Sequence, residues 1–326
     1  MSLPLKVRLN LCTFSCHQQW QAVHAGQPGT QFNDAPGFFD YARSLGAEGV
    51  QTAVRSDEQA RAIRAKVEAT GGWYEGDVRL PKTPGELDAF NNEVRLVSVA
   101  GGTVARTVLT GLRRYEGFKS LEDFCNFRSH SEQTLRMAEP VLKKHGVRLA
   151  VENHKDQVTT ELIGMLGHFS SEWIGACVDT GNNIALLEEP HGVVEALAPF
   201  AASVHLKDMA VQPYADGFLL SEAPLGTGLL HLPRLIAILR KANPGIAFNL
   251  EMATRDPLKV PCLTPSYWAT FPDRLAVDLA HAMVLVKHHP PAQPPPQVTG
   301  KALAQILAEE EANNRASLEW MRQHIV

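Results

Sequence analysis

Short apolar, β-branched runs alternate along this chain with longer stretches whose apolar positions recur every three or four residues. This is the pattern of parallel strands joined by crossover helices. The short runs predict strands at 7–13, 49–53, 73–78, 103–110, 147–152, 173–179, 203–205 and 247–251. The longer stretches predict helices at 36–45, 57–70, 84–100, 120–145, 160–169, 191–200, 232–242 and 273–287, several with Pro or Asp near the start, as first turns prefer. Alternating units in this number match a closed (β/α)8 TIM barrel better than an open doubly wound sheet. No G-x-G-x-x-G follows the first run, so the main signature of dinucleotide binding is missing.

After residue 287 the pattern breaks at His288 and His289, followed by Pro290, Pro291, Pro294, Pro295 and Pro296. Proline lacks the amide donor and restricts the residue before it, so no helix continues through this stretch. Beyond it, 301–325 predicts a charged amphipathic helix with Leu303, Ile306, Leu307 and Leu318 as its apolar stripe, expected to pack back on the barrel rather than reach out as a dimer arm. The expected organisation is a catalytic barrel at 1–287, a Pro-rich linker at 288–299 and a C-terminal helical extension at 300–326.

Composition narrows the partners. A chain of 326 residues, 44% hydrophobic, has material for one large core. Lys plus Arg total 31 against 35 for Asp plus Glu, which gives no reason to expect nucleic acid. The five cysteines are scattered and odd in number, which favours a reducing, cytoplasmic setting over a disulfide framework. Residues 1–5 carry no apolar leader, and nothing approaches the roughly 20 apolar residues of a membrane span, so no membrane partner is expected. Homo-oligomerisation stays open.

Candidate chemistry sits at the ends of the last four predicted strands: Glu152, Asp179, His205 and Glu251, separated by 27, 26 and 46 residues. In a parallel barrel all four reach the same C-terminal mouth, where active sites are built. Three carboxylates crowded there repel one another unless a cation is present, and a divalent ion with a neutral imidazole balances them. The donor set predicts one divalent metal ion, Mn2+, Mg2+, Co2+ or Zn2+. For any one of these residues, a helix cap or turn former is an equally good reading; for four in succession it is not.

The segments Val151-Glu152-Asn153-His154, Val178-Asp179-Thr180-Gly181-Asn182, Val204-His205-Leu206-Lys207-Asp208 and Asn249-Leu250-Glu251 resemble the xylose isomerase-like TIM barrel superfamily of sugar isomerases and epimerases, over residues 6–287. The resemblance implies that Glu152, Asp179, His205 and Glu251 hold the metal and that Glu152 and Glu251 flank the substrate as acid and base. It implies an isomerase or epimerase of a small carbohydrate or keto sugar, working through a metal-stabilised enediolate. One departure stands out: ketose 3-epimerases of this superfamily usually carry a histidine three residues after the metal-binding aspartate, where this chain has Asn182.

Two alternatives stay open. One is a lyase, a decarboxylase or dehydratase, acting on a keto sugar acid through a metal-stabilised enolate; the other is a noncatalytic carbohydrate-binding barrel. Candidate substrate contacts are His154, Lys155, Arg106, Lys207 and Arg255, each set against a plainer reading as a loop or snorkelling charge. Asp208 is a candidate partner of Lys207 or orienter of a ligand. Trp73, Tyr74, Tyr115, Tyr267 and Trp268 are candidates to line a sugar pocket, with barrel packing as the default. Residues 213–218 lengthen the seventh βα loop and are expected to form a lid.

Overall fold

A computed structural model describes residues 8–291 and 293–324; Val7, Ala292 and Ile325, which the expected strand, linker and helix include, lie outside them. Among the described residues, eight parallel strands close into a barrel: β1 (Arg8–Cys12), β2 (Gly49–Thr52), β3 (Trp73–Asp77), β4 (Val104–Thr107), β5 (Arg148–Glu152), β6 (Ile174–Asp179), β7 (Ala201–Leu206) and β10 (Ala247–Leu250). They run in chain order around the barrel, with β10 pairing β7 on one side and β1 on the other. The eight strands read from the sequence fall on these, with ends shifted by a few residues.

Strand alternation sorts the residues into two layers. Leu11, Val50, Val151, Val178, Val204 and Phe248 join the main hydrophobic core with residues of the surrounding helices, such as Phe38 of α2 (Ala35–Leu45), Val94 of α4 (Leu87–Val99) and Leu166 of α7 (Thr159–Phe169). The alternate residues face inward, and many are polar: Gln51 of β2 donates to Ser203 of β7 at 3.3 Å, a contact between strands that are not neighbours in the sheet.

Other elements differ from expectation. A helix α1 (His17–His24) follows the first strand where none was expected; with only Trp20, Ala22 and Val23 as apolar positions, it shows too little periodicity to be read. Residues 213–218 are not an irregular loop. They lie in an antiparallel hairpin of β8 (Asp208–Tyr214) and β9 (Gly217–Ala223), widened by β11 (Leu258–Val260) into a three-stranded sheet. The buried Phe218 and Leu220 alternate as a strand requires.

The C-terminal helix, α11 (Leu303–His324), lies against the barrel, on a face that shares only Leu307 and Leu318 with the stripe expected. Leu307, Glu310, Asn314, Ser317, Leu318 and Met321 are buried, while Leu303 and Ile306 are only half-buried. The polar members are satisfied: the Glu310 carboxylate accepts from the amides of Gln18 and Gln19 at 2.7 and 3.1 Å, and Asn314 Nδ2 donates to Ser15 O at 2.7 Å. Ser15 in turn donates to Leu250 O and accepts from Met252 N, both at 2.8 Å, so its bonds bracket Glu251. Replacing Asn314 by alanine leaves a buried carbonyl without its donor. The expected cost is about 1–3 kcal/mol, read as a lower midpoint of denaturant unfolding; an unchanged midpoint would show that the helix does not brace this turn. Among the described residues, no helix is long and apolar enough to cross a membrane.

Candidate active site

Glu152 and Asp179 end β5 and β6, His205 is the penultimate residue of β7, and Glu251 follows β10. These four strands are consecutive around the barrel, and the register sets Glu152 beside Cys177, and Asp179 and Asn249 beside His205. One ligand atom from each of the four residues lies within 4.8 Å of the others, and all four residues are buried. The mouth of the barrel thus gathers the four residues singled out in the sequence.

The donor set fits a divalent cation. Asp179 Oδ2, His205 Nδ1 and Glu251 Oε2 are buried atoms with no hydrogen bond. His205 Nδ1 contacts Glu251 Oε2 and lies 3.4 Å from Glu152 Oε2 and 3.9 Å from Asp179 Oδ2. Three such atoms converging on one point, one nitrogen and two carboxylate oxygens with only Lys207 Nζ beside Asp179 Oδ2 at 3.1 Å, make a ligand set with room for substrate or water oxygens. Glu152, Asp179, His205 and Glu251 could hold the ion.

Cations surround the carboxylates. Arg106 of β4 donates to Glu152 Oε2 through Nε at 2.7 Å and also through its terminal nitrogen, and pairs with the half-buried Asp77 at 3.3 Å. Burial works to raise the Glu152 carboxyl, but the charges of Arg106 and His205 outweigh it and hold the group down at about 2. Lys207 Nζ sits 2.9 Å from Glu251 and 3.1 Å from Asp179. Glu251 is likewise kept well below the usual carboxylate range, burial being overcome by Lys207 and His205.

Asn182, at the position of the departure noted above, ties these groups together. Its Oδ1 accepts from Lys155 and, at 3.1 Å, from Lys207, while its Nδ2 donates to Glu152 Oε1 at 2.8 Å. Its backbone amide donates to Asp179 Oδ1 at 2.7 Å, so the turn after β6 is itself built on a candidate ligand. Burial, then the neighbouring charges of Lys207 and Arg255, push the Lys155 amine down to about 7. Among the sequence candidates, His154 is also brought here: it is buried beside Glu152, its Nδ1 makes no hydrogen bond, and its imidazole is held neutral, chiefly by burial and then by Lys155.

Arg255 reaches the site through a residue that the sequence reading missed. It donates to Glu222 of β9 at 2.5 and 3.1 Å, and Glu222 also lies 3.7 Å from Lys207. The signal was present, since Glu222 lies in the alternating run that forms β9, but a segment read as a loop gave no reason to aim it inward. Gln51 and Glu75 were missed as well; each is a polar residue in the middle of a strand, buried inside the barrel.

Other candidates go elsewhere. Asp208 neither orients a ligand nor pairs with Lys207: its carboxylate accepts from the amides of Met209, Gly226, Gly228 and Leu230 at 2.8–3.0 Å and so builds the loop after β9. Trp73, at the start of β3, lies beneath the guanidinium of Arg8 at 3.3 Å, at the opposite end of the barrel from the candidate ligands. Tyr74 points outward, its hydroxyl donating to Thr52 O at 3.0 Å. Tyr115, Tyr267 and Trp268 do come together, with neighbouring ring centroids 5.2 Å apart, in a second apolar cluster with residues of the hairpin.

A family model for xylose isomerase-like TIM barrels matches residues 39–270. Over 108 residues the chain is 33% identical to 3-oxo-isoapionate decarboxylase of Pectobacterium atrosepticum, a match that spans 32% of this chain and only 39% of that protein. In fold it is similar to D-psicose 3-epimerase of Clostridium cellulolyticum solved with D-tagatose, at a TM-score of 0.64 and 11% identity over 98% of this chain and 99% of that one. It is also similar to a xylose isomerase-like TIM barrel protein of Mycobacterium smegmatis in complex with magnesium, at a TM-score of 0.55 and 12% identity over 88% of this chain and all of that one.

Proposed function

The chain belongs to the xylose isomerase-like TIM barrel family, and from that premise we propose that it is a divalent-metal-dependent lyase acting on a small keto sugar acid. The observation that carries the reading is the charge around the candidate ligands. At the mouth, the buried carboxylates of Glu152, Asp179, Glu222 and Glu251 face the basic side chains of Arg106, Lys155, Lys207 and Arg255. A divalent ion adds two further positive charges there. Buried charge is costly without a partner, and a substrate carboxylate provides one where a neutral sugar does not.

A bound divalent cation would supply Lewis-acid stabilisation of the negative charge that develops on a carbonyl oxygen. The chain's own residues divide the remaining tasks. Lys155 and Lys207, gathered on Asn182 Oδ1, recognise the anion. Glu152 is held on both oxygens by Arg106 and Asn182, whereas Glu251 Oε2 faces the His205 imidazole, itself able to exchange a proton, so Glu251 is the carboxylate assigned to take or return one. In a decarboxylation the bond between the α-carbon and the carboxylate breaks and its electron pair passes toward the ketone oxygen. CO2 leaves, and one proton added at carbon restores the ketone. The partial likeness to 3-oxo-isoapionate decarboxylase supports loss of CO2 over loss of water. The isomerase or epimerase reading gives Lys155 no anionic group to meet.

Purified protein is expected to carry about one divalent ion per chain and to convert a keto sugar acid with loss of mass, followed by mass spectrometry. Turnover of neutral ketoses with mass conserved, and none of the acids, would return the assignment to an isomerase; full activity in an ion-free chain would remove the metal. Lys155→Met is expected to raise KM for the acid by about 10–100-fold, the worth of a hydrogen bond to a charged group. Because Lys155 loses its proton near pH 7, native kcat/KM for an anionic substrate should fall as pH rises through that value. Lys155→Arg should abolish that step, since arginine stays charged.

A further inference from the structure

His205 presents Nδ1 to the other three candidate ligands, and a neutral imidazole can offer that lone pair only when its proton sits on Nε2. The barrel interior sets this proton's place. His205 Nε2 lies 2.6 Å from Gln51 Oε1. Which end of a glutamine amide faces a neighbour follows from its other partners. The Nε2 end of Gln51 lies 3.0 Å from Glu75 Oε2 and 3.3 Å from Ser203 Oγ.

Glu75 Oε2 also receives Ser203 Oγ at 2.7 Å and Asn249 Nδ2 at 2.9 Å. Asn249 is held that way round because its Nδ2 also donates to the backbone carbonyl of Val204 at 3.2 Å, which can only accept, and its Oδ1 lies 3.0 Å from Asn10 Nδ2. An oxygen ringed by three donors has no place for a proton of its own, so it acts only as an acceptor. Turning the Gln51 amide over would set its oxygen against that acceptor, a costly contact because Gln51 and Glu75 are both buried. The amide oxygen is therefore left for His205, and the imidazole must donate to it.

We propose that Glu75, acting through Gln51, keeps His205 protonated on Nε2, so that Nδ1 is the nitrogen whose lone pair is left for the ion whenever the imidazole is neutral. Glu75 and Gln51 are positioning residues, since they touch neither substrate nor the candidate ion. The device spans β3, β2 and β7 and holds whether or not an ion is present. Its purpose rests on the metal reading given above; its geometry does not.

The test uses protein labelled with 15N-histidine, with long-range proton–nitrogen spectra and His205 assigned by its loss in His205→Asn. Nε2 is expected to carry a proton both in ion-free protein and in protein loaded with Zn2+; a bare Nε2 in either state overturns the proposal. Gln51→Leu removes the acceptor and is expected to weaken Zn2+ binding by about 10–100-fold, measured by competition with a chelating indicator. Glu75→Gln keeps an acceptor oxygen in place and should bind close to native. Native affinity in folded Gln51→Leu overturns the proposal, and if that variant does not fold, the native spectra decide alone. Native protein that takes up neither Zn2+ nor Mg2+ would sink the metal reading separately, while the ion-free spectrum still decides the relay.

Discussion

Glu251→Gln is expected to reduce turnover by about 10²–10⁴-fold, the range lost when a positioned proton-transfer group is removed. The change is nearly isosteric and keeps one oxygen for an ion, so the fold should survive. What is lost is the carboxylate that faces His205 Nδ1 with one oxygen and the Lys207 ammonium with the other. Glu152→Gln is expected to act differently, because Glu152 is held by Arg106 and Asn182. An amide nitrogen turned toward the arginine would disturb the ligand geometry and weaken ion binding before it touched chemistry. Kinetics and ion content measured on both variants separate the two roles. Glu251→Gln turning over at the native rate with its ion in place would remove Glu251 from the chemistry.

Lys207→Met should give the largest loss of stability in the ion-free protein. Lys207 is buried against Asp179 and Glu251, with Glu222 at 3.7 Å. Taking away one partner of a buried ion pair leaves uncompensated charge, at a cost of about 3–5 kcal/mol. An ion bound between Asp179 and Glu251 would supply the missing positive charge. Added Mg2+ should therefore recover part of the loss, about 2.7 kcal/mol at a hundred times its Kd. Denaturant unfolding with and without Mg2+ reads both effects. A variant as stable as native without the ion would show that the carboxylates are not the repelling group described here.

Several features of this site were legible in the chain because they depend on local rules. Strand alternation and the common direction of parallel strands mark Glu152, Asp179, His205 and Glu251 as neighbours at one mouth before any contact is known. His154, Lys155, Lys207 and Arg255 follow by proximity to those strand ends and Arg106 from its place within the fourth strand, and all five are found at the site. Asn182 was visible only as a departure from the epimerase pattern. Its task of gathering Lys155, Lys207 and Glu152 depends on side chains that converge from three separate strand ends.

Periodicity and strand polarity, which act over a few residues, mark the barrel, the four candidate ligands and the mouth at which they meet. Only the tertiary structure decided which other groups reach that mouth. Gln51 meets Ser203 across 152 positions of chain, and Glu75 meets Asn249 across 174, because closure of the barrel brings inward faces of non-adjacent strands together. Glu222 arrives on the hairpin that follows β7, and Trp73, singled out as a pocket aromatic, lies at the other end of its strand. Such contacts depend on the stagger of the closed sheet and the direction in which a hairpin folds, which no local pattern encodes.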